Sequence, residues 1–175
     1  MKITNKTIDY SIRANIGPDG KMELINNHTG VELPPIEYGS DTIKGAGILG
    51  SIDWSSFNDI GPMPLKISFN SDNPQKAALV APGVKTIEIR WVIDVFDSNS
   101  VKTSTQYHKA FATIVPKKSE SGKLEKGSTA DGSNEFECLT YKKSVDGKVV
   151  LDIDKLANKF VVNGKDYMQD IRNAL

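Results

Sequence analysis

Gly45-Ala46-Gly47-Ile48-Leu49-Gly50 matches the pattern G-x-G-x-x-G letter for letter. In a dinucleotide site such glycines let the backbone approach a pyrophosphate, whose charge sits on the N-terminus of the helix that follows. That chemistry needs a buried strand before the glycines and a helix opening at them. Ser40-Asp41-Thr42-Ile43-Lys44 does not read as a buried strand, and Ser51-Ile52-Asp53-Trp54-Ser55-Ser56 does not read as a helix. The role expected of Gly45, Gly47 and Gly50 is therefore a crossing where backbones pack closely, with a contact between subunits as its setting.

The other candidates are scattered. His28 and His108 are the only histidines, and neither has a cysteine or an acid cluster beside it. A metal site is not expected; one is expected in a turn and the other in a sheet. Cys138 falls in an alternating run and reads as a buried apolar thiol rather than a nucleophile. Asp152 and Asp154 share one face of a strand, but two carboxylates without further loop oxygens do not make a calcium site. Trp54 and Trp91 read as core or interface anchors. Lys117, Lys118, Lys123 and Lys126 alternate with Glu120 and Glu125 in a polar loop. A solvated loop and a docking loop are both open readings there.

The bulk properties narrow the choice. A chain of 175 residues can bury a core as one domain, 1–175. Lysine plus arginine and aspartate plus glutamate both count 22, so the net charge is zero. That argues against a protein whose task is gripping phosphates, and it permits association. One cysteine excludes an internal disulfide. The N-terminal sequence has no apolar signal region, and no stretch is long enough to span a membrane, so synthesis in the cytoplasm is expected.

The elements that must position these residues are mostly strands. Ile8, Tyr10 and Ile12 alternate with polar residues; Gly17-Pro18-Asp19-Gly20 is a turn, and 21–25 a short return strand. Pro34-Pro35 suits an edge or extended arm. Glycine and serine thicken through 39–56, with Trp54 and Phe57 as apolar anchors. Residues 62–69 alternate as a half-buried strand. Asn73 can cap a short helix with Pro74 at its first position, ended by Pro82-Gly83. Residues 84–96 and 104–115 form a long antiparallel hairpin, with Ile87, Ile89 and Trp91 on one face. Residues 116–132 hold one large apolar residue, Leu124, and are expected to be a long flexible loop.

The last third reads as strand, turn, strand, a third strand and a terminal helix or arm, 164–175. Asp146-Gly147 supplies the positive φ of a hairpin turn, and Asn163-Gly164 is a second turn. Tyr167, Met168, Ile171 and Leu175 recur at helical spacing, with Asp166 near the helix start. The bottom-up reading is a mainly antiparallel β domain with one or two short helices and no visible active site.

Two blocks carry a resemblance. Cys138-Leu139-Thr140-Tyr141, Asp146-Gly147-Lys148, Ile153-Asp154 and Val162-Asn163-Gly164 resemble the end of the major tail tube proteins of contractile-tailed bacteriophages, the FII-like family. Glu32-Leu33-Pro34 followed by Lys44-Gly45-Ala46-Gly47-Ile48-Leu49-Gly50-Ser51 resembles that family's glycine-rich segment, in the same order and at a similar separation. The resemblance covers roughly 31–175.

It implies a β-sandwich or barrel-like tail tube fold whose hexameric rings stack head to tail into a hollow tube. The implied partners are the chain itself, the tail sheath, a baseplate or tube initiator and a tape-measure protein. In a complete phage, DNA would also pass through the lumen. Complete phages and phage-tail-like bacteriocins fit equally. The subunit would be made in the host bacterial cytoplasm, have no cofactor, metal or catalytic residue, and assemble in the particle. Gly45, Gly47, Gly50, Trp91, Lys117, Lys118, Lys123, Asp146, Gly147, Tyr167 and Ile171 are the expected assembly elements. The hairpin 84–115 would supply channel wall, and 116–132 would order on stacking. The alternatives are a β-sandwich module recognising a glycan or other ligand, with Trp54 or Trp91 as platform, and a nucleotide-dependent enzyme using the glycines.

Overall fold

The structure is a computed structural model and describes residues 2–175; Met1 lies outside it. The strands are β1 (Lys2–Ala14), β2 (Glu23–Leu24), β3 (His28–Glu32), β4 (Tyr38–Ile43), β5 (Ile52–Ile60), β6 (Pro64–Phe69), β7 (Lys85–Asp97), β8 (Lys102–Glu120), β9 (Gly132–Val145), β10 (Lys148–Asp154), β11 (Lys159–Val162) and β12 (Lys165–Asp166). Two short helices are α1 (Pro74–Leu79) and α2 (Gln169–Ala174). All strand pairs are antiparallel, as the alternating runs predict, in a mainly β fold.

β9 organises the sheet. β8 lies along one edge of it throughout. Its other edge is shared: the first half pairs with β6, Phe136 opposite Leu65, and the second with β10, Tyr141 opposite Ile153. One wing continues to β3, the other to β11 and β12, while β8 leads on to β7, β1 and β2.

The fork is closed by backbone and side-chain hydrogen bonds. Cys138 N donates to Met63 O at 3.0 Å, and Lys155 N to Leu139 O at 3.1 Å. The Lys155 ammonium reaches Gly61 O and Glu137 Oε1, each at 2.8 Å, and Met63 N donates to the same carboxylate at 2.9 Å. Burial opposes ionisation of Glu137, but Lys155 and the Met63 amide outweigh it and hold its carboxyl below the ordinary range. Diverging backbones would otherwise leave these groups without partners, which is costly in a part-buried site.

Side-chain parity builds the core in rows that cross the strands. One row runs Ala14, Ile87, Ala112, Tyr141, Ile153, Phe160, and every member is buried. Alanines at 110 and 112 face Ile89 and Ile87, so small and large residues alternate across the pairing. Leu65, Ile67 and Phe69 on β6 and Leu79 on α1 complete the core. Asn73 caps α1 by accepting from Lys76 N at 2.8 Å, with Pro74 at the first helical position, as predicted.

Several expectations change. Residues 116–120 of the expected loop 116–132 continue β8, leaving 121–131 outside strands. Their polar sequence needs no core, because the first half of β9 offers partners. Lys117 pairs with Glu135 at 2.8 Å, and Ser119 Oγ donates to Asn134 Oδ1 at 2.8 Å. Pro116, which has no N–H, sits beside a register shift. His28, expected in a turn if His108 was in a sheet, opens β3, so both histidines are on strands. The glycine- and serine-rich 39–56 region lies largely in the hairpin β4–β5, where Ile43 pairs with Ile52.

Candidate assembly surfaces

The β4–β5 hairpin is the first surface. Its root is tied to the body: Gly61 N donates to Glu37 O at 2.9 Å, and the Tyr38 ring meets Phe160 edge-on at 6.1 Å. Beyond the root the two strands pair only with each other. Register puts Ile43, Ile52 and Trp54 on one face and Thr42, Asp53, Ser40 and Ser55 on the other. Thr42 Oγ1 donates to Asp53 Oδ1 at 2.8 Å on the polar face. Trp54 is 63% exposed, and Phe57 is exposed too, so neither is an anchor of this chain's own core.

The glycine hexapeptide forms the tip of this hairpin. Gly47 has φ 87° and Gly50 φ 92°, left-handed values that bend the chain back into β5. A strand follows the glycines where a dinucleotide site needs a helix. Open space surrounds all three: beyond the adjoining residues, no atom lies within 4 Å of a Cβ added at Gly45, Gly47 or Gly50. The close backbone packing expected of them is absent within the chain.

The second surface is the polar face of the large sheet. One row crosses it as Arg13, Glu88, Phe111, Lys142 and Asp152, and a neighbouring row as Ser11, Arg90, Lys109 and Ser144. Glu88 is paired with Arg90 and lies 3.7 Å from Lys109, and Asp152 accepts from Lys159 at 2.6 Å. Both acids of these rows are paired, while Arg13 and Lys142 add positive charge at their flanks. The Asp154 carboxylate accepts from Leu156 N and Ala157 N, so the aspartates at 152 and 154 are both engaged within the chain. Among the described residues no group of three or more His, Cys, Asp or Glu side chains is placed to hold a metal.

The remaining expected assembly residues lie in three places. Trp91, Asp146 and Gly147 are drawn to one end of the β7–β8–β9 region. Trp91 stacks on His108 at 5.0 Å, with Lys143 Nζ 5.5 Å from the Trp91 ring centroid. Asp146 and Gly147 have φ 46° and 80°, the hairpin turn predicted, and the Asp146 carboxylate accepts from Tyr107 N at 2.9 Å. Lys117 and Lys118 stand on β8, where Glu135 and Glu120 raise their pKa values; Lys123 pairs with Glu125 in the 121–131 segment. Tyr167 and Ile171 flank the start of α2. That end is not a free arm: Asp166 pairs with Arg172, and Arg172 Nη1 donates to Asn158 O at 2.9 Å.

Titration is dominated by burial. It pushes the Cys138 thiol and the Tyr141 hydroxyl up to about 12, so both stay protonated. Burial lowers His28 against the opposing pull of Asp9. Burial and Lys143 lower His108 against Asp146. The face rows and the fork were missed from sequence; alternation gives parity, but only the register shows which residues are neighbours across strands.

Strands dominate the described chain, and the side chains suited to chemistry are dispersed over separate strands; this is the class of a structural β-sandwich protein. The family model of phage tail tube protein FII matches residues 12–175. The chain belongs to that family and is a structural subunit of a phage tail tube, a component of the virion tail. The match begins 19 residues earlier than the resemblance read from the sequence, since 31 minus 12 is 19. None of the curated proteins matches the chain. A chain in the cryo-EM structure of the anti-feeding prophage baseplate, 6-fold symmetrised, is similar at 10% identity, over 81% of this chain and 97% of that one, with a TM-score of 0.46.

Proposed function

We propose that the subunit closes into hexameric rings and that these stack head to tail as the inner tube of a contractile phage tail or phage-tail-like bacteriocin. The observation that carries this reading is the β4–β5 hairpin, whose apolar strip of Ile43, Ile52 and Trp54 its own chain leaves uncovered. A second copy of the subunit is the partner that would bury it. Open sheet ends support ring closure: β2 pairs with Arg13 and Ala14, and among the described residues no strand pairs with that edge of β1 from 2 to 11. Such edges invite pairing with another chain, and closing a ring removes them. Head-to-tail stacking is an open interface that grows a filament.

In this reading the face of β7 and β8, where Glu88 and Asp94 balance Arg90 and Lys109, lines the channel and lets a polyanion slide past. Gly45, Gly47 and Gly50, the lysine-bearing segment 116–132 and the end 164–175 meet neighbouring subunits. The sheath, a baseplate initiator and a tape-measure protein complete the assembly; DNA is a transient occupant in a complete phage. The subunit is made in the host cytoplasm and performs no catalysis. Among the described residues, no helix is long and apolar enough to cross a membrane.

Negative-stain electron microscopy at rising concentration, with and without a tube initiator, tests the reading. Hollow tubes or six-fold rings are expected. A strict monomer under both conditions would overturn it. The exposed Trp54 favours one other reading, a glycan-binding module, which a glycan array would reveal.

A further inference from the structure

The core face of the large sheet changes character toward one end. Its buried rows run Ala14, Ile87, Ala112 and, beside it, Ile12, Ile89, Ala110; the next row along, four residues from the first on each strand, is one of rings, with Tyr10 on β1, Trp91 on β7 and His108 on β8. β3 pairs with β6 and not with β1, so the sandwich has an open seam between β1 and β3. There the His28 ring packs on Tyr10, centroids 4.8 Å apart, and extends the row across the seam. Beneath it is a cavity of about 250 Å³ lined by Thr7, Tyr10, Val31, Leu33, Ile89 and Trp91.

Both imidazoles are set into this row in a way that suits the neutral form. Nδ1 of His28 and Nδ1 of His108 are buried without a hydrogen-bond partner in the protein. His108 Nε2 meets Gln106 Oε1 at 3.1 Å. A cationic ring would carry an N–H at each buried Nδ1 with nothing to accept it, a costly state. We propose that this row is an acid-sensitive latch: neutral His28 on Tyr10 holds β3 against β1 and shuts the seam, neutral His108 keeps Trp91 stacked within the row, and their protonation releases it.

The surrounding charges do not reverse this. His28 meets Asp9 and the Tyr10 ring from β1 and pairs with the uncharged Phe69 of β6; Asp9 favours protonation, but burial outweighs it. Tyr10 is itself raised, by burial and then by Asp9, and stays neutral. His108 meets Lys143 from β9, Asp146 from the β9–β10 turn and the uncharged Trp91 from β7; burial and Lys143 together outweigh Asp146. Because both groups are lowered on folding, the folded state binds fewer protons than the unfolded chain. The latch is fully closed above the ordinary imidazole value of about 6.5 and is lost as pH falls through it toward the lower folded values. The latch is a property of the single subunit and holds whether or not rings form.

Proton NMR titration of the two imidazoles in the intact subunit is the first test. Both should titrate below about 6.5; either one at or above that value overturns the proposal. The melting temperature should fall between about pH 7.5 and about pH 5.5. A His28→Gln, His108→Gln double variant should lose that fall, and an equal fall in the variant refutes the latch. If the variant does not fold, Trp54→Phe leaves Trp91 as the sole indole. Its emission should then change with the midpoint of His108, and an emission flat through that midpoint counts against the stacked latch.

Discussion

The fork at β9 and the β4–β5 hairpin are both made of antiparallel strands, yet they stand at opposite ends of the stability scale. At the fork, β9 has strands on both edges, Phe136 and Cys138 are fully buried, and the polar gap is filled by Glu137 and Lys155. In the hairpin each strand has one partner, and Ile43, Ile52 and Trp54 face outward. A two-stranded hairpin alone is marginal in water. Pairing therefore sets the shape of both regions, while burial stabilises only one. The difference assigns their tasks: the fork holds the subunit together, and the hairpin offers it to something else.

The strongest way to break this comparison is Phe136→Ala. Its side chain is fully buried at the fork, so the change should cost about 3–5 kcal/mol. Urea unfolding measures it; a midpoint equal to wild type would show that the fork does not hold the subunit. Glu137→Ala comes next. It strands the Lys155 ammonium and the Met63 amide in a part-buried site, for a loss of about 1–3 kcal/mol at neutral pH. Because the Glu137 carboxyl is lowered on folding, its contribution is full above about 4.3 and lost as pH falls through its lower folded value. The gap between wild type and variant should close in acid, and a gap that widens there contradicts the charge assignment.

Gly147→Ala is smaller. With φ 80° in the β9–β10 turn, an added Cβ should cost about 1 kcal/mol by thermal unfolding. Trp54→Ser in the hairpin should move subunit stability least, within about 0.5 kcal/mol. Sedimentation should nevertheless show lost assembly. A large stability loss with assembly intact would exchange the tasks given to the two regions.

Much of this was legible in the residues themselves. Asp146-Gly147 and Asn163-Gly164 adopt the positive φ values that their types favour. Asn73 and Pro74 start α1, and the alternation of Ile87, Ile89 and Trp91 gave the correct face. These features are local, since a turn, a cap or a side-chain parity is decided within a few residues. The blocks at 32–51 and 138–164 pointed to the family that the match over 12–175 establishes.

What the residues alone did not decide was partnership. Nothing near Lys117 announces that Glu135 will extend β8 past Pro116. Nothing near Glu137 announces that β6 and β10 will diverge beside it. Trp54, read as a core or interface anchor, lies outside the core, and both histidines are on strands where one was expected in a turn. Each outcome depends on which distant strand lies alongside, and that choice is made by the collective burial of one core. Local sequence specifies how each strand presents its two faces; only the tertiary structure settles which strand stands next to which and what is left for a partner to cover.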